Sequence, residues 1–194
     1  MNFNQIKEKL KNKTVGIAGC GGLGSNCAVA LARVGVGKLI IADFDIIEES
    51  NLNRQYFFHK QIGQKKVYGL EENIQLINPT ILIEAHDVKL DLNNIIEIYY
   101  DCDVVVEAFG KAEMKHMIIE AVNEKLPQIP LVAGLGVAGW GDNNSIHTRQ
   151  IDNLFICGDE KKEATENHPP SAPRVGIVAN MQANIVLEIL LKNS

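Results

Sequence analysis

Paired cysteines, an apolar leader and an excess of positive charge are all missing from this sequence. Its four cysteines, Cys20, Cys27, Cys102 and Cys157, are scattered, and none has the close spacing that a structural zinc or a dithiol redox site requires. They read as small buried residues. The opening MNFNQIKEKLKNK is polar and periodic, with no apolar signal core. Nowhere do about 18 uncharged apolar residues follow one another. Secretion and membrane spanning are therefore not expected, and a cytoplasmic protein is. A formal net charge of -5 offers no global attraction to nucleic acid or an anionic bilayer, so neither is expected as a partner. There is no internal repeat and no low-complexity block.

What is present is a chain of 194 residues, 46% of them hydrophobic, enough to bury a core without disulfides or metal. One domain spanning residues 1–194 is expected. Apolar positions 3, 6 and 10 suit a short amphipathic helix from Phe3 to Leu10. Thr14 to Ala18 is a β-branched, apolar run ending in glycines, Leu23 to Val34 reads as a helix, and Lys38 to Ala42 is a second buried strand: a complete strand-helix-strand unit. Further on, helices are expected over Gly63 to Ile77, Leu92 to Tyr100 and Ala112 to Lys125. Strands are expected over Ile81 to Ala85, Val104 to Glu107 and Ile129 to Ala133.

This alternation implies an α/β fold with a doubly wound, Rossmann-like, mostly parallel sheet. After Gly134 the pattern changes. Ser145 to Arg149 and Asn153 to Cys157 read as short strands joined by a turn at Asp152, giving an antiparallel C-terminal edge. Residues 158–173, GDEKKEATENHPPSAP, lack periodicity and contain three prolines, which suggests a mobile, functional loop. Val175 to Leu191 closes the chain as a long apolar-striped helix.

The chemistry begins at GIAGCGGLG, residues 16–24. Gly19, Gly21 and Gly24 fit G-x-G-x-x-G between a strand and a helix, where glycines let backbone N–H groups approach phosphate oxygens at the positive end of the helix. Asp43, at the end of the second strand, can accept hydrogen bonds from ribose hydroxyls. A nucleotide site follows, but the glycines and Asp43 alone do not separate NAD from ATP. The next stretch, DFDIIEESNLNRQYFFHKQIGQKK, does more. Asn51, Asn53, Arg54, Gln55 and Lys66 place amides and cations directly behind the ribose acid, and polyphosphate needs such groups. An Arg and a Lys aimed at the outer phosphates offset charge on a pyrophosphate leaving group.

GCGGLGS, LARVGVGKLIIADFD, SNLNRQ, IGQKK and APRVGIVANMQA together resemble the ThiF/MoeB family of ubiquitin-activating-type adenylyltransferases, in order and over nearly the whole chain. The resemblance implies ATP binding without a Walker loop, and transfer of AMP to the C-terminal glycine carboxylate of a ubiquitin-like, ThiS-like sulfur carrier. It also implies a homodimer. By the match, Gly19, Gly21, Gly22 and Gly24 cradle the nucleotide and Asp43 holds its ribose. Asp45 sits near the nucleotide, Asn51 and Gln55 orient phosphates, and Arg54 and Lys66 are the catalytic cations.

The match departs from the family in two places. After the fourth strand the chain reads EAFGKAE: Glu107 takes the first acidic place, but Gly110 stands where the family carries a magnesium-binding aspartate, leaving Glu107, Glu113, Asp45 or water as substitutes. The paired cysteines that bind zinc in many members are absent, so the short, zinc-free subset is the nearer relation and no metal is implied beyond magnesium with the nucleotide. Cys157 stands where some relatives carry a cysteine that joins the carrier, though strand-end packing explains it as well. Arg174, His168 and Trp140 stay unassigned. Competing readings are the same chemistry with a tRNA or peptide carboxylate as acceptor, an NAD(P)-dependent oxidoreductase, and a degenerate nucleotide-binding regulator that would account for Gly110.

Overall fold

The protein is described by a computed structural model that covers residues 1–161 and 164–192. In chain order its elements are α1 (Phe3–Leu10), β1 (Thr14–Ala18), α2 (Gly22–Val34), β2 (Lys38–Asp43), α3 (Lys66–Ile77), β3 (Leu82–Asp87), α4 (Leu92–Tyr99), β4 (Val104–Glu107), α5 (Ala112–Lys125), β5 (Leu131–Leu135), β6 (His147–Ile151), β7 (Leu154–Gly158) and α6 (Ala172–Lys192). The strands form one seven-stranded sheet in the order β3-β2-β1-β4-β5-β7-β6. All neighbours are parallel except β6, which pairs antiparallel with β7 through His147 opposite Gly158 and Ile151 opposite Leu154. The chain winds outward from β1 to β3, then returns to lay β4 on the other side of β1. That reversal opens a crevice beyond the carboxyl ends of β1 and β4, where open α/β sheets bind ligands.

The central strands read as continuous apolar runs because both faces are covered. Val15, Ile17 and Ala18 of β1 and every residue of β4 are buried, as a parallel sheet demands. On one face α2, α3 and α6 pack Leu31, Leu70, Ile74, Val178 and Val186 against the sheet. On the other, α4 and α5 bring Ile95, Tyr99, Ile118 and Val122. By length and composition α6 is apolar enough to cross a bilayer. Here that apolarity serves the core: α6 lies along α2 and the sheet and buries Arg174 and Gln182 within its length.

Element identities match the sequence reading; boundaries shift for local reasons. Gly63 at φ 88° makes a turn, so α3 starts at Lys66 and not at Gly63. The last helix begins at Ala172, not Val175, because Pro173 sits in its first turn, where its missing N–H has no partner to lose. The expectation of a mobile loop over residues 158–173 needs correction at both ends. Gly158 belongs to β7, Asp159 pairs with Arg174, Glu160 pairs with Arg149, and Pro170 bridges to Ala138. Lys162 and Glu163, the middle of that loop, lie outside the described residues.

The long connection from β2 to α3, which carries the polar set of residues 51–66, is braced by a buried amide pair. Gln61 is fully buried. Its Nε2 donates to Asn73 Oδ1 at 2.9 Å and to Gly69 O at 3.1 Å, while its Oε1 accepts from Asn73 Nδ2 at 3.1 Å and Phe58 N at 3.0 Å. Asn73 Nδ2 also donates to Tyr56 O at 2.8 Å. Gln61→Ala strips partners from several buried polar groups at once, so a loss of about 2 kcal/mol is expected. For a chain of this size that lowers the melting temperature by roughly 4–8 °C. Thermal melting checks this, and a shift below about 1 °C would show that water or rearrangement replaces the pair.

Candidate functional site

The glycine loop is shaped by contact as much as by flexibility. Gly19 sits at φ 95°, and a Cβ on Gly24 would lie 1.8 Å from Gly19 O, so neither position takes a side chain without moving the β1–α2 corner. α2 starts at Gly22 with no side-chain cap, which leaves its first N–H groups facing the crevice. Asp43 clamps this corner from the next strand. Its Oδ2 accepts from Cys20 N at 2.6 Å and its Oδ1 from Asp45 N at 2.8 Å. The carboxylate expected to hold a ribose thus also fixes the loop.

The first turns of α2 then draw in the segment that follows Asn51. Ser25 Oγ donates to Gly21 O at 2.6 Å and accepts from Tyr56 N at 2.9 Å; Asn26 Nδ2 donates to Gly22 O at 2.7 Å and Arg54 O at 3.0 Å. Arg54 and Gln55 consequently lie over the glycines. A Cβ placed on Gly22 would be 3.6 Å from Arg54 Cγ, and one on Gly21 would meet only Gln55 Nε2, at 3.8 Å. Gln55 is 9% exposed, and its Oε1 is buried without a hydrogen-bond partner. A buried amide left half satisfied at the mouth of a glycine loop is suited to a polar ligand. Lys66 is buried at the start of α3 and donates to Asp45 Oδ2 at 2.9 Å. Burial pushes the Cys20 thiol well above its usual range, the Asp43 carboxylate raises it further, and the Lys66 ammonium opposes both.

Asn51 is tied into local structure through its amide oxygen, which leaves its Nδ2 as the group that could donate to a phosphate. Its Oδ1 accepts from Glu48 N at 3.1 Å and closes the short turn Glu49–Asn51, so its amide oxygen is spent on local structure. Arg54 Nη1 donates to Ser50 O at 3.1 Å and to Asn53 Oδ1 at 2.7 Å. The guanidinium is folded back on its own turn, beside the glycines.

The end of β4 is a second polar cluster. Glu107 is fully buried. Lys115 Nζ donates to both of its carboxylate oxygens at 2.9 Å and to Gly134 O at 2.8 Å, and Phe109 N donates to Oε1 at 2.6 Å. Burial pushes this carboxyl up, while Lys115 and the Phe109 N–H draw it down. Gln182 donates to Glu107 O at 2.9 Å and to Val132 O at 3.1 Å, tying α6 across β4 and β5. Glu113 is exposed in the first turn of α5, where its charge favours the helix dipole. A Cβ on Gly110 would meet nothing within 4 Å. Among the described residues no three His, Cys, Asp or Glu side chains come close enough to hold a metal.

Of the residues left unassigned by sequence, His168 and Trp140 are exposed, whereas Arg174 is 2% exposed and paired with Asp159 at 2.5 Å. Arg174 falls inside the closing-helix stretch APRVGIVANMQA, but its partner carries no motif signal, because Asp159 lies in an aperiodic stretch. The Lys115–Glu107 pair is equally silent in sequence: its partners sit on a helix and a strand eight residues apart. Gln182 likewise falls inside the closing-helix stretch, at ANMQA, which marked it without stating its task.

These features define a Rossmann-like α/β protein whose glycine turn, clamping acid and basic side chains meet at one topological switch point. The ThiF family model matches residues 3–194, and the chain belongs to that family. It is 33% identical to the adenylyltransferase and sulfurtransferase MOCS3 of Caenorhabditis briggsae over 97% of this chain and 48% of that protein. It is 30% identical to the molybdopterin-synthase adenylyltransferase of Haemophilus influenzae over 96% of this chain and 78% of the relative. The chain thus spans about half of the nematode protein. In fold it is similar to the crystal structure of Escherichia coli tRNA N6-threonylcarbamoyladenosine dehydratase, TcdA, in complex with ATP. The TM-score is 0.88 and the identity 18%, over 97% of this chain and 90% of that one.

All four cysteines are buried. Burial pushes Cys157 to about 11, against which Thr148 acts weakly, and Cys102 to about 12. The thiolate is the reactive form, so Cys157 is a packing residue of β7 in this conformation. Native protein at pH 8 is expected to resist iodoacetamide, with intact mass unchanged until denaturant is added. Rapid native alkylation of Cys157 would instead reveal an opened loop.

Proposed function

We propose that this chain is an ATP-dependent adenylyltransferase that activates the C-terminal glycine carboxylate of a ubiquitin-like, ThiS-like sulfur carrier, in thiamine or a related sulfur-transfer biosynthesis. We take it to act as a cytoplasmic homodimer. The observation that carries this reading is the seating of Arg54 and Gln55 on a glycine loop clamped by Asp43, with Lys66 paired to the neighbouring Asp45. Relatives named as adenylyltransferases, and a fold neighbour crystallised with ATP, support it. A nicotinamide oxidoreductase gives those basic groups nothing to do.

The residues fit a nucleoside triphosphate. Uncapped N–H groups of α2 face its phosphates, Gln55 has an amide Nε2 beside Gly21 to donate to them and an unmet oxygen to accept from a hydroxyl or amine of the nucleotide, and Asp43 keeps lone pairs for ribose hydroxyls. An acceptor carboxylate, already ionised at pH 7, attacks the α-phosphorus. A new P–O bond forms, the bond to the bridging oxygen breaks, and pyrophosphate leaves with the electron pair. Arg54 swings from Ser50 O, and Lys66 shares itself between Asp45 and the phosphates. Both offset the charge that gathers on the leaving group.

Magnesium, expected with the nucleotide, finds no assembled set of carboxylates among the described residues. Glu107 is committed to Lys115, Asp45 to Lys66, position 110 is glycine, and Glu113 stands alone, exposed in the first turn of α5. These residues do not form a protein site for the ion, and no step above runs through it. The same observation favours a second reading, a nucleotide-binding regulator with little turnover.

Arg54→Ala is expected to lower carrier-dependent ATP–pyrophosphate exchange by about 10²-fold or more, with the melting temperature unchanged. Exchange at the wild-type rate would refute the role of this cation. Gly110→Asp, which the open space at that position accommodates, is expected to raise exchange in a magnesium-dependent way. If exchange and magnesium dependence both stay flat, the missing carboxylate is not what limits the enzyme. ATP protection from melting without any exchange would favour the regulator.

A further inference from the structure

The loop leaving β5 carries the only tryptophan in the chain. Trp140 is 75% exposed, between Gly139 at φ 77° and Gly141 at φ 64°. The indole is thus held largely in solvent between two glycines in the left-handed region. The surrounding backbone is nevertheless pinned. Gly139 N donates to Pro169 O at 3.0 Å, Ser171 Oγ donates to Gly139 O at 2.7 Å, and Arg174 Nη1 donates to Gly141 O at 2.6 Å. The loop presents its aromatic tip from a fixed base.

That base is an ion pair almost wholly inside the protein. Arg174 and Asp159 are each 2% exposed. A Cβ on Gly136 would fall 1.9 Å from Asp159 Oδ1, so the carboxylate occupies the place a side chain would take at the exit of β5. Buried pairs of this kind contribute little net stability and are better explained by the geometry they impose. Three segments meet here: the exits of β5 and β7, and the first turn of α6. The next residue along, Val175, touches the nucleotide corner, since a Cβ on Gly22 would lie 3.0 Å from its Cγ1. Adjacent residues of one helix turn thus connect the tryptophan loop with the glycine loop, both at the carboxyl edge of the sheet.

We infer that Trp140 is the acceptor-docking residue and that the Arg174–Asp159 pair is a positioning strut for it. This deepens, and rests on, the adenylation reading. The indole face lies against the extended backbone of an acceptor tail built from small residues, so that the terminal carboxylate is directed towards the glycine loop. Glycine-like residues have no side chain to hold the backbone away from the ring, and aromatic anchors on rigid supports dominate such contacts. A peptide fits better than a nucleic acid strand. No lysine or arginine occurs between Lys125 and Arg149, the loop itself contributes Asp142, and the chain as a whole carries a net charge of -5. Phosphates would find no cation on this loop to hold them.

Because Trp140 is the sole tryptophan, its emission reports its own surroundings. The probe is a ubiquitin-like carrier ending in Gly-Gly and lacking tryptophan, with a tRNA pool as comparison. Addition of the carrier is expected to move Trp140 emission to shorter wavelength and shield it from acrylamide. Trp140→Ala is expected to raise the carrier KM by about tenfold or more, leaving the KM for ATP and ATP-dependent protection from melting unchanged, and Trp140→Phe is expected to restore most of the loss. Asp159→Asn should raise the same carrier KM while retaining ATP protection. Exchange that proceeds with no emission shift, or with the carrier KM unchanged in Trp140→Ala, overturns this inference and spares the adenylation reading. A carrier-induced shift without exchange overturns adenylation alone, and the absence of both removes both. A shift produced by tRNA and not by the carrier overturns the peptide assignment.

Discussion

The arrangement depends above all on one carboxylate. Asp43 receives Cys20 N and Asp45 N on its separate oxygens, and these charge-assisted bonds join the end of β2 to the turn after β1. Without that clamp the glycines are free to wander, since they were chosen for close approach and impose no single conformation of their own. With it, the uncapped start of α2 faces a defined volume. The register of β1 on β2 puts Ala18 opposite Ala42, so Asp43 is delivered to the turn by the sheet itself. Loop rigidity is then the task of one side chain.

Charge around this volume is held in reserve. Lys66 rests on Asp45, and Arg54 rests on the carbonyl of Ser50 and the amide of Asn53. Arg54 is folded onto its own turn and Lys66 is held by a carboxylate, so either cation meets another anion only by exchanging or sharing these partners. The end of β4 is the opposite case. Glu107 is sealed by Lys115, and the neighbouring position that offers room is occupied by Gly110. One side of the crevice therefore holds uncapped N–H groups and basic side chains, while the other presents a neutralised pair.

Much of this was legible in the sequence wherever the physics is local. Apolar runs of four to six residues flanked by turns marked β1, β2 and β4, and the turn at Asp152, with φ 50°, joins β6 to β7 as expected. The glycine spacing and the basic set behind Asp43 also survive intact in space. What local pattern did not state was the work done by individual polar groups. Asn51 closes its own turn with its amide oxygen, a task that no motif marked. Arg174, unassigned by sequence, is buried against Asp159, because residue 159 arrives from another strand. The loop of residues 158–173 looked mobile because it has no period, yet ion pairs at its ends need none.

By itself, the sequence determined the element order, the parallel character of the sheet, the glycine turn with its acid, and the family to which the chain belongs. Each of these is written in residue type at short separation, through periodicity, backbone permissiveness or motif. Only the tertiary structure decided which polar side chains are available and which are consumed. It placed Arg54 and Gln55 on the glycines through Ser25 and Asn26, locked Glu107 with Lys115, and built the support beneath Trp140 from Arg174 and Asp159. Partners of that kind come from different elements brought together by packing, so their identity depends on strand order and helix placement, and short-range pattern does not contain it.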